Sequence, residues 1–352
     1  MNIQDLLRLV IERKASDLHL VAGLSPVIRC DGELVFLSDL PILSAQAIEQ
    51  MIFAICSLDQ KEIILTNKEL DLSLPFGAEG RFRLNVYYQR GTLAAEFRFI
   101  PPNPKTIDEL NLPAICHQFS ALRQGFVLVT GPTGHGKSTA LAAIINEINS
   151  SRQCHIITIE DPIEFVFPQK KGLVSQREIR SDTHSWEMAL RSALREDPDV
   201  VFIGEMRDLE TISAGLTIAE TGHLVFSTLH TNSAAQTIDR IIDVFPEHSK
   251  SQIRVQLAST LAAVFSIRLV PALPSGRLPA YEVMLTSPAV KTAIREGKTH
   301  MIDNIIQTSG ELGMVTLESS LATLVKKGRI ALQTAQEFAL RPEELMRQVR
   351  GK

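Results

Sequence analysis

Apolar residues recur along this chain with two different periods. Ile3, Leu6, Leu7 and Val10 fall one helical turn apart, which predicts an amphipathic helix over Ile3 to Ile11. Ser16 to Val21 then takes on strand character. Val27 to Cys30 and Glu33 to Leu37 flank Asp31-Gly32, a hairpin signal, because Gly accepts the left-handed backbone of a two-residue turn. A second helix is expected over Ser44 to Ile55, with Ser44 as its cap. Strands follow at Leu70 to Leu74, Gly80 to Gln89 and Thr92 to Ile100. Residues 1–100 thus read as a small α+β domain with several antiparallel strands. Pro101-Pro102-Asn103-Pro104 then stiffens the chain and breaks the pattern, so residues 101–111 read as a linker.

From 112 to 270 the pattern changes. Short, wholly apolar runs alternate with helical segments. Phe126 to Thr130, His155 to Ile159, Val200 to Ile203 and Leu224 to Ser227 are the runs, and Ala140 to Ile148 is a helical segment. This predicts an α/β domain with a mostly parallel sheet covered on both faces. Ligands of such sheets bind beyond the C-terminal strand ends. Residues 271–352 begin with a turn through Pro271, Pro274, Gly276 and Pro279. They continue as a mainly helical region: Pro288 to Glu296, Met301 to Gln307, Leu317 to Lys326, and Leu332 onward. A packing or partner-facing role is expected there.

A length of 352 residues exceeds what one core usually serves, in keeping with two or three domains. Hydrophobic residues make up 45% and charged ones 22%, the mix of a globular protein. The net charge of -4 argues against a chain-wide nucleic-acid footprint. Cys30, Cys56, Cys116 and Cys154 form no CxxC pair, so neither a zinc knuckle nor a disulfide framework is expected, and reduced cytosolic thiols fit best. The first residues are polar and lack the apolar stretch of a signal peptide. The most apolar later stretch, Leu257 to Ile267, contains Ser259, Thr260 and Ser266 and is too short for a bilayer. Any membrane link is expected through partners.

The chemistry concentrates at the ends of the apolar runs. Gly131-Pro132-Thr133-Gly134-His135-Gly136-Lys137-Ser138 fits GxxxxGK[ST], between a strand and a helix as this motif requires. Its glycines let successive N–H groups converge on a phosphate, and the helix N-terminus adds partial positive charge. Lys137 is expected on the β/γ-phosphates and Ser138 on Mg²⁺, with Thr139 completing the ATP-binding stretch. His135 reads either as a tolerated side chain or as a titratable group near the phosphates. Glu160-Asp161-Pro162-Ile163-Glu164 sets three carboxylates in five residues, which repel unless a cation or a proton transfer engages them. Glu164 is the candidate for activating water. Val200 to Ile203 leads into Gly204-Glu205, a Walker B-like arrangement in which Glu205 supports Mg²⁺ partly through water, with Arg207 and Asp208 next. His223 and His230 flank one apolar run, and His230 is the better placed to meet a γ-phosphate. Phosphoryl transfer also needs positive charge, often from a neighbouring chain. Arg81 and Arg83 share one strand face and Arg98 lies on another strand; Arg191 and Arg195 are one helical turn apart.

Taken together these stretches resemble the type IV pilus retraction ATPase family (PilT) of the secretion-ATPase superfamily. The resemblance rests on Ser16-Asp17-Leu18-His19-Leu20, the loop from Gly131 to Thr139, and Ile159 to Phe165, the family's Asp box. It rests also on Gly204-Glu205-Met206-Arg207-Asp208 (Walker B) and on Thr221-Gly222-His223 through Asn232, the His box. It covers nearly the whole chain. It implies a PAS-like N-terminal domain, a RecA-like P-loop ATPase domain and a homo-hexamer that splits ATP with Mg²⁺. A neighbour's N-terminal domain would supply arginines, for which Arg81, Arg83, Arg98 and Arg195 are the candidates. It further implies Glu164 as catalytic base, a pilus platform protein of the inner membrane as partner, and a cytoplasmic, peripheral location. Extension and type II secretion ATPases usually carry a longer N-terminal region and a tetracysteine site, which this chain lacks, and the Walker B wording leans away from the accessory paralogue PilU. Two departures stand out: His135 replaces the family's usual Ser, and the family's AIRNLIR-type helix reads Ala289-Val290-Lys291-Thr292-Ala293-Ile294-Arg295. The alternatives are a nucleotide-binding accessory subunit and a RecA-like nucleic-acid translocase.

Overall fold

The computed structural model describes residues 2–30 and 32–351. The chain divides into two compact units, one of residues 1–103 with 162–166, the other of residues 104–161 with 167–352.

In the smaller unit, helix α1 (Ile3–Glu12) is capped by the Asn2 side chain and buries Ile3, Leu6, Leu7 and Val10. Strands β1 (Asp17–Leu20), β2 (Val27–Cys30) and β3 (Glu33–Phe36) precede α2 (Ala45–Phe53), whose N-cap is Ser44. Asp31 of the expected hairpin turn lies outside the described residues, but β2 and β3 pair antiparallel as that turn requires. Helix α3 (Leu58–Asn67) has little amphipathic pattern and is not evident from apolar spacing. A capping box starts it, in which Ser57 and Gln60 satisfy each other's backbone N–H. Strands β4 (Glu69–Phe76), β5 (Gly80–Gln89) and β6 (Thr92–Ile100) complete an antiparallel sheet in the order β3-β2-β1-β6-β5-β4. One face of it buries Leu18, Phe82, Leu84 and Phe97. The other face carries a row of directly paired residues, Arg29, Asp17, Arg98, Arg83 and Ser73, one from each of five neighbouring strands.

In the larger unit the elements run α4 (Ile115–Ala121), β7 (Gly125–Thr130), α5 (Lys137–Ser151), β8 (His155–Glu160), β9 (Leu173–Glu178), α6 (Trp186–Ala193) and β10 (Val200–Ile203). They continue as α7 (Leu209–Glu220), β11 (Leu224–Leu229), α8 (Ala234–Asp243), α9 (Glu247–Thr260), β12 (Leu261–Pro271) and β13 (Arg277–Leu285). The sheet order is β13-β12-β7-β11-β10-β8-β9, parallel throughout except for β13. The expected four-strand core is therefore flanked by three further strands. The apolar stretch around Leu257 is divided between the end of α9 and the start of β12. Arg277 to Leu285, read from sequence as the entry to a helical region, is a strand of the larger unit's sheet, paired with β12 over nine residues. Helices α10 (Pro288–Arg295), α11 (Ile302–Thr308), α12 (Leu317–Lys326), α13 (Leu332–Phe338) and α14 (Pro342–Arg350) follow. α10 and α11 join the main core through Val290, Ile294, Ile302 and Ile306, while α12 and α14 close on Val270 and Leu278 through Leu317, Leu321 and Leu345. No helix of the described residues is long and apolar enough to cross a membrane.

Helix α4 is fastened to α5, the helix that starts at Lys137. His117 Nδ1 lies 2.8 Å from Glu147 Oε2, its Nε2 lies 3.5 Å from Asp108 Oδ1, and Ser120 Oγ donates to Glu147 Oε1 at 2.6 Å. The hydrogen bond to Glu147 is the main reason the imidazole's pKa is raised above its ordinary value of 6.5. A raised folded-state pKa gives stability that is complete below about pH 6.5 and fades as pH rises through the folded value. A His117→Gln variant is therefore expected to lose more thermal stability relative to wild type at pH 6 than at pH 9. Equal losses at both pH values in thermal unfolding scans refute the ion pair's contribution.

Candidate functional site

The parallel register lines up the strand ends from which the site is built. Thr130 of β7 pairs with Leu229 of β11, and Ile203 of β10 pairs with Ser227 of β11 and Ile159 of β8. The loop after β7, His230 after β11 and Gly204-Glu205 after β10 thus leave the sheet on the same side.

The loop conformation is dictated by its glycines. Gly131, Gly134 and Gly136 have φ of 143°, 79° and 86°, values that side chains with a Cβ rarely adopt. A Cβ on Gly131 would stand 2.2 Å from the Ile267 carbonyl oxygen, so the loop can pass β12 only with glycine there. The end of β7 is pinned to the same strand by Thr130 Oγ1, 2.7 Å from Ser266 Oγ. Gly136 is the N-cap of the 15-residue α5 and brings no capping side chain to the helix's first turn. That is a cradle for an anion.

Lys137 is buried, 7% exposed, and its ammonium donates to Gly131 O at 2.9 Å and Pro132 O at 3.0 Å. It also donates to His230 Nδ1 at 3.3 Å, a nitrogen that lies 3.1 Å from Thr133 Oγ1. Accepting there leaves the proton on Nε2, which faces Glu205 Oε1 at 3.0 Å. Glu205 is gripped from its other side by Arg207, Nε to Oε1 at 2.8 Å and Nη2 to Oε2 at 2.8 Å. Burial pushes the Glu205 carboxyl up, but Arg207 and His230 together outweigh it and hold the group below its ordinary range. One chain of contacts therefore runs Lys137, His230, Glu205, Arg207. The loop under Glu205 is fixed by Gly204 N–H to Ile159 O, Met206 N–H to Thr228 O and Thr228 Oγ1 to Gly204 O.

A magnesium nucleotide suits this set. Ser138 Oγ and the Glu205 carboxylate are hard oxygens, and Mg²⁺ usually takes one or two such protein groups beside phosphates and water. The helix N-terminus and the Lys137 ammonium match the phosphates.

Other expected site residues are placed elsewhere. Glu160 is buried and accepts from Thr158 Oγ1 at 2.7 Å and Gln176 Nε2 at 3.3 Å. Asp161 faces Arg180 at 4.0 Å. His223 lies at the N-terminal end of β11, the opposite end from His230, bonded to Thr221 Oγ1 and Ile218 O where α7 ends. Glu164 belongs to the smaller unit, its Oε1 3.8 Å from Arg83 Nη1. Arg81 donates to Ser73 Oγ, and Arg98 is committed to the buried Asp17 at 2.8 Å and to Glu96 at 3.1 Å. Arg195 is exposed just beyond α6.

His135 resolves into a third reading, neither incidental nor aimed at phosphate. Its Nδ1 accepts the Leu269 N–H at 3.1 Å, and its ring packs against Phe338 at 6.2 Å between centroids. Sequence reasoning missed this because Leu269 and Phe338 are more than a hundred residues away.

A phosphate-binding loop at the C-terminal edge of a parallel sheet, with a carboxylate and a histidine on adjacent strands, defines a P-loop ATPase. Residues 107–277 match the family described as Type II/IV secretion system protein. The Type IV pilus retractation ATPase PilT of Pseudomonas aeruginosa is 47% identical over 97% of this chain and 99% of its own length, against 36% for PilU of the same organism over 96% and 89%. The Twitching motility protein of Neisseria gonorrhoeae is 45% identical over 92% and 87%. The crystal structure of the pilus retraction motor PilT with bound ADP superposes with a TM-score of 0.90 at 44% identity, covering 99% of both chains. The chain belongs to the type IV pilus retraction ATPase family.

Burial, reinforced by Arg268, Lys137 and Arg277, lowers the His135 pKa below its ordinary 6.5. Its protonation therefore opposes the folded state, and stability declines as pH falls below about 6.5 towards the lower folded value. Wild type is expected to exceed His135→Ser in thermal stability by more at pH 7.5 than at pH 5.5. A difference that stays constant across that range removes the imidazole from the loop's anchoring.

Proposed function

We propose that this chain is a Mg²⁺-dependent ATPase that assembles as a homo-hexamer and powers disassembly and retraction of a type IV pilus. The observation that carries the reading is the buried Lys137, linked through His230 to Glu205 at the end of a parallel sheet, in a chain alike over almost its whole length to a pilus retraction ATPase.

The loop amides and Lys137 bind the ATP phosphates. Ser138 and Glu205 would hold Mg²⁺, which would supply positive charge against the phosphates. His230, bonded to both Lys137 and Glu205, registers the γ-phosphate by exchanging the Lys137 contact for one to phosphate. Glu164 takes the proton of the attacking water, and arginines of an adjoining subunit meet the charge that develops on the phosphoryl group. Arg81 and Arg83 suit that task better than Arg98, whose guanidinium already neutralises Asp17. The motor works at the cytoplasmic face of the inner membrane, held there by a platform protein of the pilus machine.

Lys137→Ala is expected to cut turnover at least about a hundredfold, and Glu164→Gln to retain ATP without splitting it, both followed by phosphate release. An unchanged rate in either variant overturns the assignment of that residue. Nucleotide binding without turnover in the purified wild-type protein marks an accessory subunit instead. Cells lacking the gene are expected to be hyperpiliated and unable to twitch; bald cells contradict retraction.

A further inference from the structure

Arg207 is the one member of the Lys137–His230–Glu205–Arg207 chain without a part in the reaction above. Its guanidinium forms two parallel hydrogen bonds with Glu205, both 2.8 Å, the geometry in which arginine binds a carboxylate most tightly. Glu205 already accepts from His230, so three N–H groups converge on its two oxygens. The Arg207 side chain is 78% exposed, whereas the carboxylate it covers is 22% exposed. A carboxylate in this grip has its charge neutralised and three of its four lone-pair sites taken. A divalent cation that draws on it, directly or through water, therefore competes with the guanidinium for the same charge.

The surrounding backbone confines that exchange to a side chain. Gly204 N–H is bound to Ile159 O, and the buried Met206 is bound through its N–H to Thr228 O. Asp208 caps α7 through a reciprocal pair with Thr211. Residues on both sides of Arg207 are thus fixed, while its guanidinium can swing into solvent without moving the chain.

We propose that Arg207 is a positioning residue that competes with the divalent cation for Glu205: the guanidinium holds the carboxylate aimed and neutralised, and metal binding displaces it to the surface. This rests on Glu205 as a metal-supporting group, and the experiment separates the two. A fluorescent N-methylanthraniloyl-ADP is bound to the full chain at fixed concentration, with EDTA setting the metal-free reference, and Mg²⁺ is titrated while its fluorescence is read. Arg207→Gln is expected to lower the Mg²⁺ midpoint about three- to tenfold. Arg207→Lys, which keeps the charge but not the paired geometry, is expected to lower it less. Glu205→Gln is expected to raise it. If Glu205→Gln raises the midpoint and Arg207→Gln leaves it unmoved or raises it, the competition is refuted and the metal assignment stands. If Glu205→Gln leaves the midpoint where it was, both are refuted. Thermal unfolding of the Arg207 variants, expected within a few degrees of wild type because that side chain is mostly in solvent, excludes a folding defect as the source of their shift, and Glu205→Gln is read at a temperature below its own unfolding transition.

Discussion

The ammonium of Lys137 is the constraint around which the larger unit is arranged. A buried charge is tolerated only with polar partners close by. Two carbonyls of its own loop and the His230 imidazole supply them. The loop can offer those carbonyls only because Gly131 passes against β12 where no side chain fits. His230 can reach the ammonium only because β7 and β11 pair in register to their last residues. The buried parallel strands, the tight turn and the histidine are thus different requirements of one desolvated cation. A lysine so held keeps its charge in one place, as the phosphate contact proposed for it requires.

The parts of this arrangement readable from sequence are the ones whose physics is local. The loop glycines, the apolar run before Glu205 and the carboxylates after Ile159 are short patterns, each with a single geometric meaning. β9 was invisible because its sequence, Leu173 to Glu178, is largely polar at the sheet edge. β12 and β13 were hidden for another reason: the apolar run from Leu257 straddles the junction of α9 and β12, and Pro279 within Arg277 to Leu285 reads as a turn. α3 lacked periodicity, although Ser57 and Gln60 spelled out its start. Partners remote in sequence could not be read at all. The bond from Leu269 to His135, the pairing of Arg98 with Asp17 and the position of His223 at the far strand end all depend on register.

The arginine row of the smaller unit shows how register redistributes roles. By spacing alone, Arg81, Arg83 and Arg98 are equivalent. Across the sheet, Asp17 is buried between Arg29 and Arg98 and draws on both, at 3.8 and 2.8 Å. Among the described residues, Arg83 has no pairing as short as that of Arg98, lying 3.9 Å from Asp71 and 3.8 Å from Glu164. Charge near the strand ends is therefore divided between arginines that hold the sheet and arginines weakly enough engaged to change partners.

The segment from Pro162 to Val166 belongs to the smaller unit although both of its flanks belong to the larger. The backbone therefore crosses between the units three times, at 103/104, 161/162 and 166/167. The five-residue segment that bears Glu164 is thus continuous at both ends with the chain of the larger unit, between β8 and β9.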